Sequence, residues 1–206
     1  MKKLRLGVLG STKGTDLQAI IDSIGAGKLE AEIAVVASDR ADAFILERAK
    51  KHGIKAVAVE RKKFSSSEEF NKKINSILKE NDVELVLLIG FMRIVREPVL
   101  STFRNRIINI HPSLLPKYAG GRDLNVHEEV LKNKEKETGC TLHFVTEQVD
   151  EGPIIMQKKV KVLKSDTPDS LKERVQKAEQ EILLEAIKLF AQHKISIVGG
   201  RVKIRG

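Results

Sequence analysis

The chain has 206 residues, enough to bury one sizeable core, and its 41% hydrophobic and 32% charged residues are the balance of an ordinary globular domain. Its longest clean apolar run, 85–92, is far short of the roughly 18 residues a membrane span needs, and its single cysteine, Cys140, excludes an intrachain disulfide and a cysteine-rich zinc site, as suits the reducing cytoplasm. The net charge of +9 favours small anionic ligands over nucleic acid, because the basic residues are interleaved with Glu and the chain has one Tyr and no Trp on which bases would stack.

The front half alternates strand and helix signals. Residues 4–9 read as a first strand with no secretory signal before it, and the loop 10–14 opens a helix over about 16–26. A second strand is expected over 33–37, a helix over 41–52, a strand over 55–59 and a helix over 67–81, where Phe70, Ile74, Ile77 and Leu78 recur at helical spacing. Residues 85–89 are apolar on both faces, as in a central strand of a helix-covered parallel sheet. The order predicts an α/β fold: an open, mostly parallel Rossmann-like sheet with helices on both faces.

The back half differs. A fifth strand over 107–110 leads into a long loop to about 122, then a short helix over 125–132. Strands over 141–145 and 154–162, joined by a turn at Asp150-Glu151-Gly152-Pro153, suit an antiparallel C-terminal portion. A long helix over 168–192 has Thr167 as N-cap and Pro168 at its first position. The tail, 195–205, is expected to add a final edge strand. No repeat, low-complexity tract or long linker divides the chain, so residues 1–206 read as a single domain.

Several residues suggest chemistry. Asn109 and His111, two apart on a strand, point to one face at its carboxyl end. An amide there can donate to a developing oxyanion and an imidazole can move a proton; equally, both can be core groups satisfied by hydrogen bonds. The loop Lys13-Gly14-Thr15-Asp16 has small residues at a helix N-terminus, which fits either a phosphate cradle or a plain turn. Asp16 would repel a phosphate and could cap the helix instead. Arg93, after the fourth strand, either faces an anionic or planar ligand or lies over the core. Asp150 sits at a turn, where an aspartate often bonds its own backbone. Glu179 falls within or beside a buried helical stripe and needs solvent or a partner. Cys140 reads as a small core residue rather than a nucleophile.

Together the segments Asn109-x-His111-Pro112-Ser113-Leu114-Leu115-Pro116-Lys117-Tyr118 and Val149-Asp150-Glu151-Gly152-Pro153-Ile154 resemble the phosphoribosylglycinamide formyltransferase family. Supporting segments are Gly14-Thr15-Asp16-Leu17-Gln18-Ala19-Ile20, Gly90-Phe91-Met92-Arg93-Ile94 and Arg174-Val175-Gln176-x-x-Glu179. The resemblance implies formyl transfer from 10-formyltetrahydrofolate to the amine of glycinamide ribonucleotide, in purine synthesis, without a metal. It puts the catalytic roles on Asn109, His111 and Asp150. It puts the ribonucleotide on Lys13, Gly14, Thr15, Asp16, Gln176 and Glu179, and the folate on Met92, Arg93, Ile94 and Val95. Residues 1–100 would then be the phosphate-binding half and 101–206 the catalytic and folate-binding half of a monomer or homodimer, with no nucleic-acid or membrane partner.

The chain departs from the family at three places. Many members have Asn where Asp16 stands, so a side-chain contact to phosphate is in question. The segment 118–127 is longer than the common form, and His127 corresponds only loosely to that form's histidines. Ser67 stands where some members carry an arginine near the folate. Methionyl-tRNA formyltransferases and formyltetrahydrofolate hydrolases share the Asn, His and Asp trio but carry further domains that this chain is not expected to have. Sugar-nucleotide formyltransferases need a nucleotide pocket that is not identifiable here. A non-catalytic nucleotide-binding module on the same fold is the alternative of a different class.

Overall fold

The computed structural model describes residues 2–120 and 125–205. Strands β1 (Leu4–Leu9), β2 (Ala31–Ser38), β3 (Ala56–Ala58), β4 (Leu85–Leu88) and β5 (Ile107–His111) run parallel. Strands β6 (Glu137–Phe144) and β7 (Ile154–Lys161) then join antiparallel. The sheet order is β3-β2-β1-β4-β5-β6-β7. The chain thus winds outward in one direction through β2 and β3 and returns to continue on the far side of β1, so β1 and β4 flank the point of reversal. In open sheets of this kind ligands bind beyond the carboxyl ends of the strands at that point.

Strand alternation sorts the core into two layers. Leu6, Val8, Leu85, Leu87, Ile108 and Ile110 face α1 (Thr15–Gly25), α2 (Phe44–Lys51), α5 (Val126–Lys132) and α6 (Pro168–Ala191). Leu9, Val86, Leu88 and Ile107 face α3 (Ser67–Glu80) and α4 (Val99–Thr102). β4 is buried throughout, as expected of a central strand covered on both sides.

Helix α3 shows how local chemistry sets the boundaries. Ser66 caps it by accepting from the Glu69 N–H at 3.1 Å, Glu68 and Glu69 sit in its first turn, and Lys79 sits in its last, each on the side the helix dipole favours. Phe70, Ile74, Ile77 and Leu78 form its buried stripe. At α6 the expected cap is present: Thr167 accepts from the Ser170 N–H at 3.2 Å and Ser170 returns the bond, with Pro168 in the first turn.

Three expectations need correction or extension. The tail does not extend the main sheet: β8 (Ile195–Val198) and β9 (Arg201–Ile204) form a separate antiparallel hairpin. Gly199 and Gly200, both at positive φ, make the tight turn that folds it back on itself. β6 begins four residues earlier than the expected 141, running through Gly139. A Cβ at that glycine would lie 2.0 Å from the Lys158 carbonyl oxygen, so its absence lets β7 approach. The short α4 and a turn of 3₁₀ helix at Arg61–Lys63 carry too few residues to show a period. Within the expected loop to about 122, residues 121–124 lie outside the described residues.

Candidate active site

A cavity of about 310 Å³ opens beyond β4 and beside β5. Its walls include Met92, Arg93, Ile94 and Val95 from the β4–α4 loop, Asn109 and His111 from β5, His143 from β6, and Asp150 from the β6–β7 connection. Two strand registers bring the polar groups together. Asn109 pairs with His143 and His111 with Thr141 across β5 and β6, so all four side chains fall on one face of the sheet.

His143 was not singled out in the sequence, where a histidine in Leu142-His143-Phe144 looks like one more residue of an alternating strand. Its Nδ1 lies 2.9 Å from the Phe144 carbonyl oxygen, which can only accept, so Nδ1 carries the proton. Burial holds the imidazole below its ordinary pKa and therefore neutral, against the Phe144 carbonyl and Asp150, which favour the charged form. Its Nε2 lone pair then accepts from Asn109 Nδ2 at 3.1 Å. That bond fixes which end of the Asn109 amide is nitrogen and leaves a second N–H for a ligand in the cavity.

His111 is oriented from the other side. The Ser113 hydroxyl donates to the Lys117 carbonyl at 2.6 Å, so its oxygen accepts from His111 Nδ1 at 3.0 Å. His111 Nε2 faces the Asp150 carboxylate at 3.3 Å. The ring is thus held at both nitrogens, between the Ser113 hydroxyl and the Asp150 carboxylate.

Asp150 does not simply bond its own turn. It sits at φ 58°, and its carboxylate accepts from the Gly120 N–H at 2.9 Å while facing both His111 and His143. Burial alone would raise its pKa. Hydrogen bonds from His111 and the Gly120 N–H outweigh burial and hold it below the ordinary range. Its connection depends on Gly152, where a Cβ would lie 1.8 Å from the Phe144 carbonyl oxygen. A carboxylate, an imidazole and an oriented amide thus converge on one cavity. Such a set can stabilise an oxyanion and move a proton.

The remaining predicted residues divide. Met92, Ile94 and Val95 line the cavity. Arg93 lines it too, but its Nε is bonded to the buried Asp39 carboxylate at 2.7 Å, which ties the guanidinium to the end of β2. Lys13, Gly14, Thr15, Asp16, Gln176 and Glu179 are not part of that wall; Asp16 and Glu179 face one another where α1 meets α6, while Gly14 and the Lys13 carbonyl lie against Ile45 and Arg48 of α2. Gly14, at φ 65°, precedes the first helical residue, and Lys13 is exposed. Asp16 does not cap the helix. It is buried in the first turn, and its Oδ1 has no hydrogen-bond partner. Burial raises its pKa to about 6, partly offset by a hydrogen bond from Gln180. Glu179 is pushed up to about 8 by burial and by the charge of Asp16. Cys140 is a buried core residue whose thiol burial pushes to about 12, and His127 is buried on α5 with its pKa lowered by burial to about 4. Among the described residues, no group of three or more His, Cys, Asp or Glu is arranged to hold a metal ion, and no helix is long and apolar enough to cross a membrane.

Comparison with known proteins matches residues 4–187 to the formyl transferase family. The chain is 39% identical to the phosphoribosylglycinamide formyltransferase of Escherichia coli over 92% of its own length and 88% of that relative. It is also 39% identical to the human trifunctional purine biosynthetic protein adenosine-3, but spans only 19% of that protein's length. Among solved structures, glycinamide ribonucleotide transformylase 1 from Symbiobacterium toebii superposes with a TM-score of 0.94 at 45% identity, covering 100% of this chain and 95% of that one.

Proposed function

The chain belongs to the formyl transferase family, among its phosphoribosylglycinamide formyltransferases, and on that premise we propose that it transfers a formyl group from 10-formyltetrahydrofolate to the primary amine of glycinamide ribonucleotide. The observation that carries the reading is the convergence of Asn109, His111 and Asp150 on one cavity whose apolar wall runs from Met92 to Val95. The wall suits the flat folate ring. The α1 N-terminus, with Lys13, Gly14, Thr15 and Asp16, takes the phosphate end of the ribonucleotide, and Gln176 and Glu179 take its ribose.

The acceptor amine attacks the formyl carbon and a tetrahedral intermediate forms. The free N–H of Asn109 donates to its oxygen, and His111, when protonated, adds positive charge beside the same oxyanion. Asp150 accepts the proton that the attacking nitrogen loses. The C–N bond to the folate then breaks, and the proton held by Asp150 passes to the departing folate nitrogen, so the sum of the two steps neither gains nor loses charge and the carboxylate is restored. The acting unit is a monomer or a homodimer, and the cytoplasm is its compartment.

The test is the dependence of donor consumption on acceptor. Loss of 10-formyltetrahydrofolate that requires glycinamide ribonucleotide supports transfer. Equal loss without the ribonucleotide would mean hydrolysis and would replace this reading.

A further inference from the structure

The ribonucleotide loop and the folate wall are not independent. Ser11, 4% exposed, sits at the root of the loop after β1. Its N–H donates to the Gly90 carbonyl at 3.1 Å, and its Oγ accepts from the Met92 N–H at 2.9 Å, so it grips the loop after β4 twice. Gly90 permits this approach, because a Cβ at its positive-φ position would lie 2.6 Å from Thr12 Oγ1.

Asp39, at the end of β2, closes the assembly. Its side chain is 1% exposed, and it spends one oxygen on each loop. Oδ1 accepts from the Ser11 hydroxyl at 2.5 Å, and Oδ2 accepts from Arg93 Nε at 2.7 Å. A serine hydroxyl has one proton. Because that proton goes to Asp39, the Ser11 oxygen is turned to receive Met92. One buried carboxylate therefore sets the backbone of the folate wall against the loop that leads to Gly14.

We infer that Asp39, which lines neither subsite, is a positioning residue that joins the two substrate subsites through Ser11 and Arg93, so that occupancy of either subsite favours occupancy of the other. The inference rests on the assignment of the two substrates to those loops. A ligand held by Gly14 and Thr15 orders the loop at Ser11, and the order carries to Met92 and Arg93. The second ligand then finds a wall whose conformational entropy is already lost. Linkage requires the same factor whichever ligand binds first.

The experiment uses tetrahydrofolate, which lacks the formyl group and cannot react, together with glycinamide ribonucleotide. Calorimetry gives the Kd of each with and without saturation by the other. In the native protein each Kd should fall by about 5-fold or more, the lower end of common coupling factors, and equally in both directions. Ser11→Ala removes the hydroxyl bridge. Asp39→Asn keeps the shape but can accept on one side only. Both variants should bring the factor close to 1 and raise both KM values, while kcat at saturation stays within about 3-fold of native, since no group touching the reacting atoms is lost. If Asp39→Asn does not fold, Ser11→Ala decides alone. A native factor of 1, an unchanged factor in the variants, or a fall in kcat with the factor retained would overturn the inference. A native protein that binds neither ligand would overturn the functional reading along with it.

Discussion

Asn109 and His143 face one another across the β5–β6 register, with the amide nitrogen 3.1 Å from the imidazole Nε2. One strand supplies a donor and the next supplies the group that fixes its orientation. Replacing Asn109 by Ala should lower kcat by roughly 10²–10³, the cost of one oxyanion donor elsewhere. His143→Phe should lower kcat by about 10-fold in the native background and very little in the Asn109→Ala background, because the two act as a unit. A double-mutant cycle in turnover checks this, and additive losses would separate the two residues.

Asp150→Asn preserves shape and removes the charge that faces His111. It should fold normally, judged by circular dichroism and Tm, and lose on the order of 10²–10⁴ in kcat with little change in the KM for ribonucleotide. Near-native turnover would take Asp150 out of the chemistry.

Gly152→Ala tests how the Asp150 connection is held. The added Cβ would meet the Phe144 backbone oxygen at 1.8 Å, and a backbone oxygen cannot swing aside as a side chain can. Chemical denaturation should show a loss of more than about 2 kcal/mol, in the range of overpacking damage. Turnover should fall as well, because the displaced turn carries Asp150.

The buried pair Asp16 and Glu179 makes stability depend on pH. In the unfolded chain both carboxyls titrate near about 4. In the folded protein burial holds their protons up to about 6 and about 8. Between those limits the folded state binds more protons than the unfolded one, so the stability present below about pH 4 is lost progressively as pH rises from there through 6 to 8. Glu179→Gln should therefore raise Tm clearly at pH 8, less at pH 5, and least near pH 4. A gain of about 1 kcal/mol corresponds to roughly 2–4 °C at this chain length. Equal Tm shifts at every pH would show that the pair does not titrate in this window.

What the sequence made legible was local. The two-residue spacing of Asn109 and His111, the alternating strands and helices, and the Thr167 cap depend on neighbours along the chain and appear in the fold as expected. The Arg93–Asp39 pair spans 54 positions and the Asn109–His143 pair spans 34, so no window of sequence contains either. His143 was hidden because an alternating strand gives the same pattern whether its inward histidine packs or works. The C-terminal hairpin was readable in principle, since Gly199-Gly200 between apolar runs is a tight-turn signal. The burial of Asp16 was not, because it depends on how α6 crosses α1. Family resemblance added what spacing could not, the expectation of roles for Asp150, Gln176 and Glu179.

The most direct measurement follows the formyl carbon itself. With 13C in the formyl group of 10-formyltetrahydrofolate, NMR of the reaction with glycinamide ribonucleotide should show the label leaving the folate and appearing in the formamide of the ribonucleotide. The transfer should be fast with the native protein and nearly absent with Asp150→Asn. Label released as formate, or label that stays on the folate in the presence of folded native protein, would contradict the account.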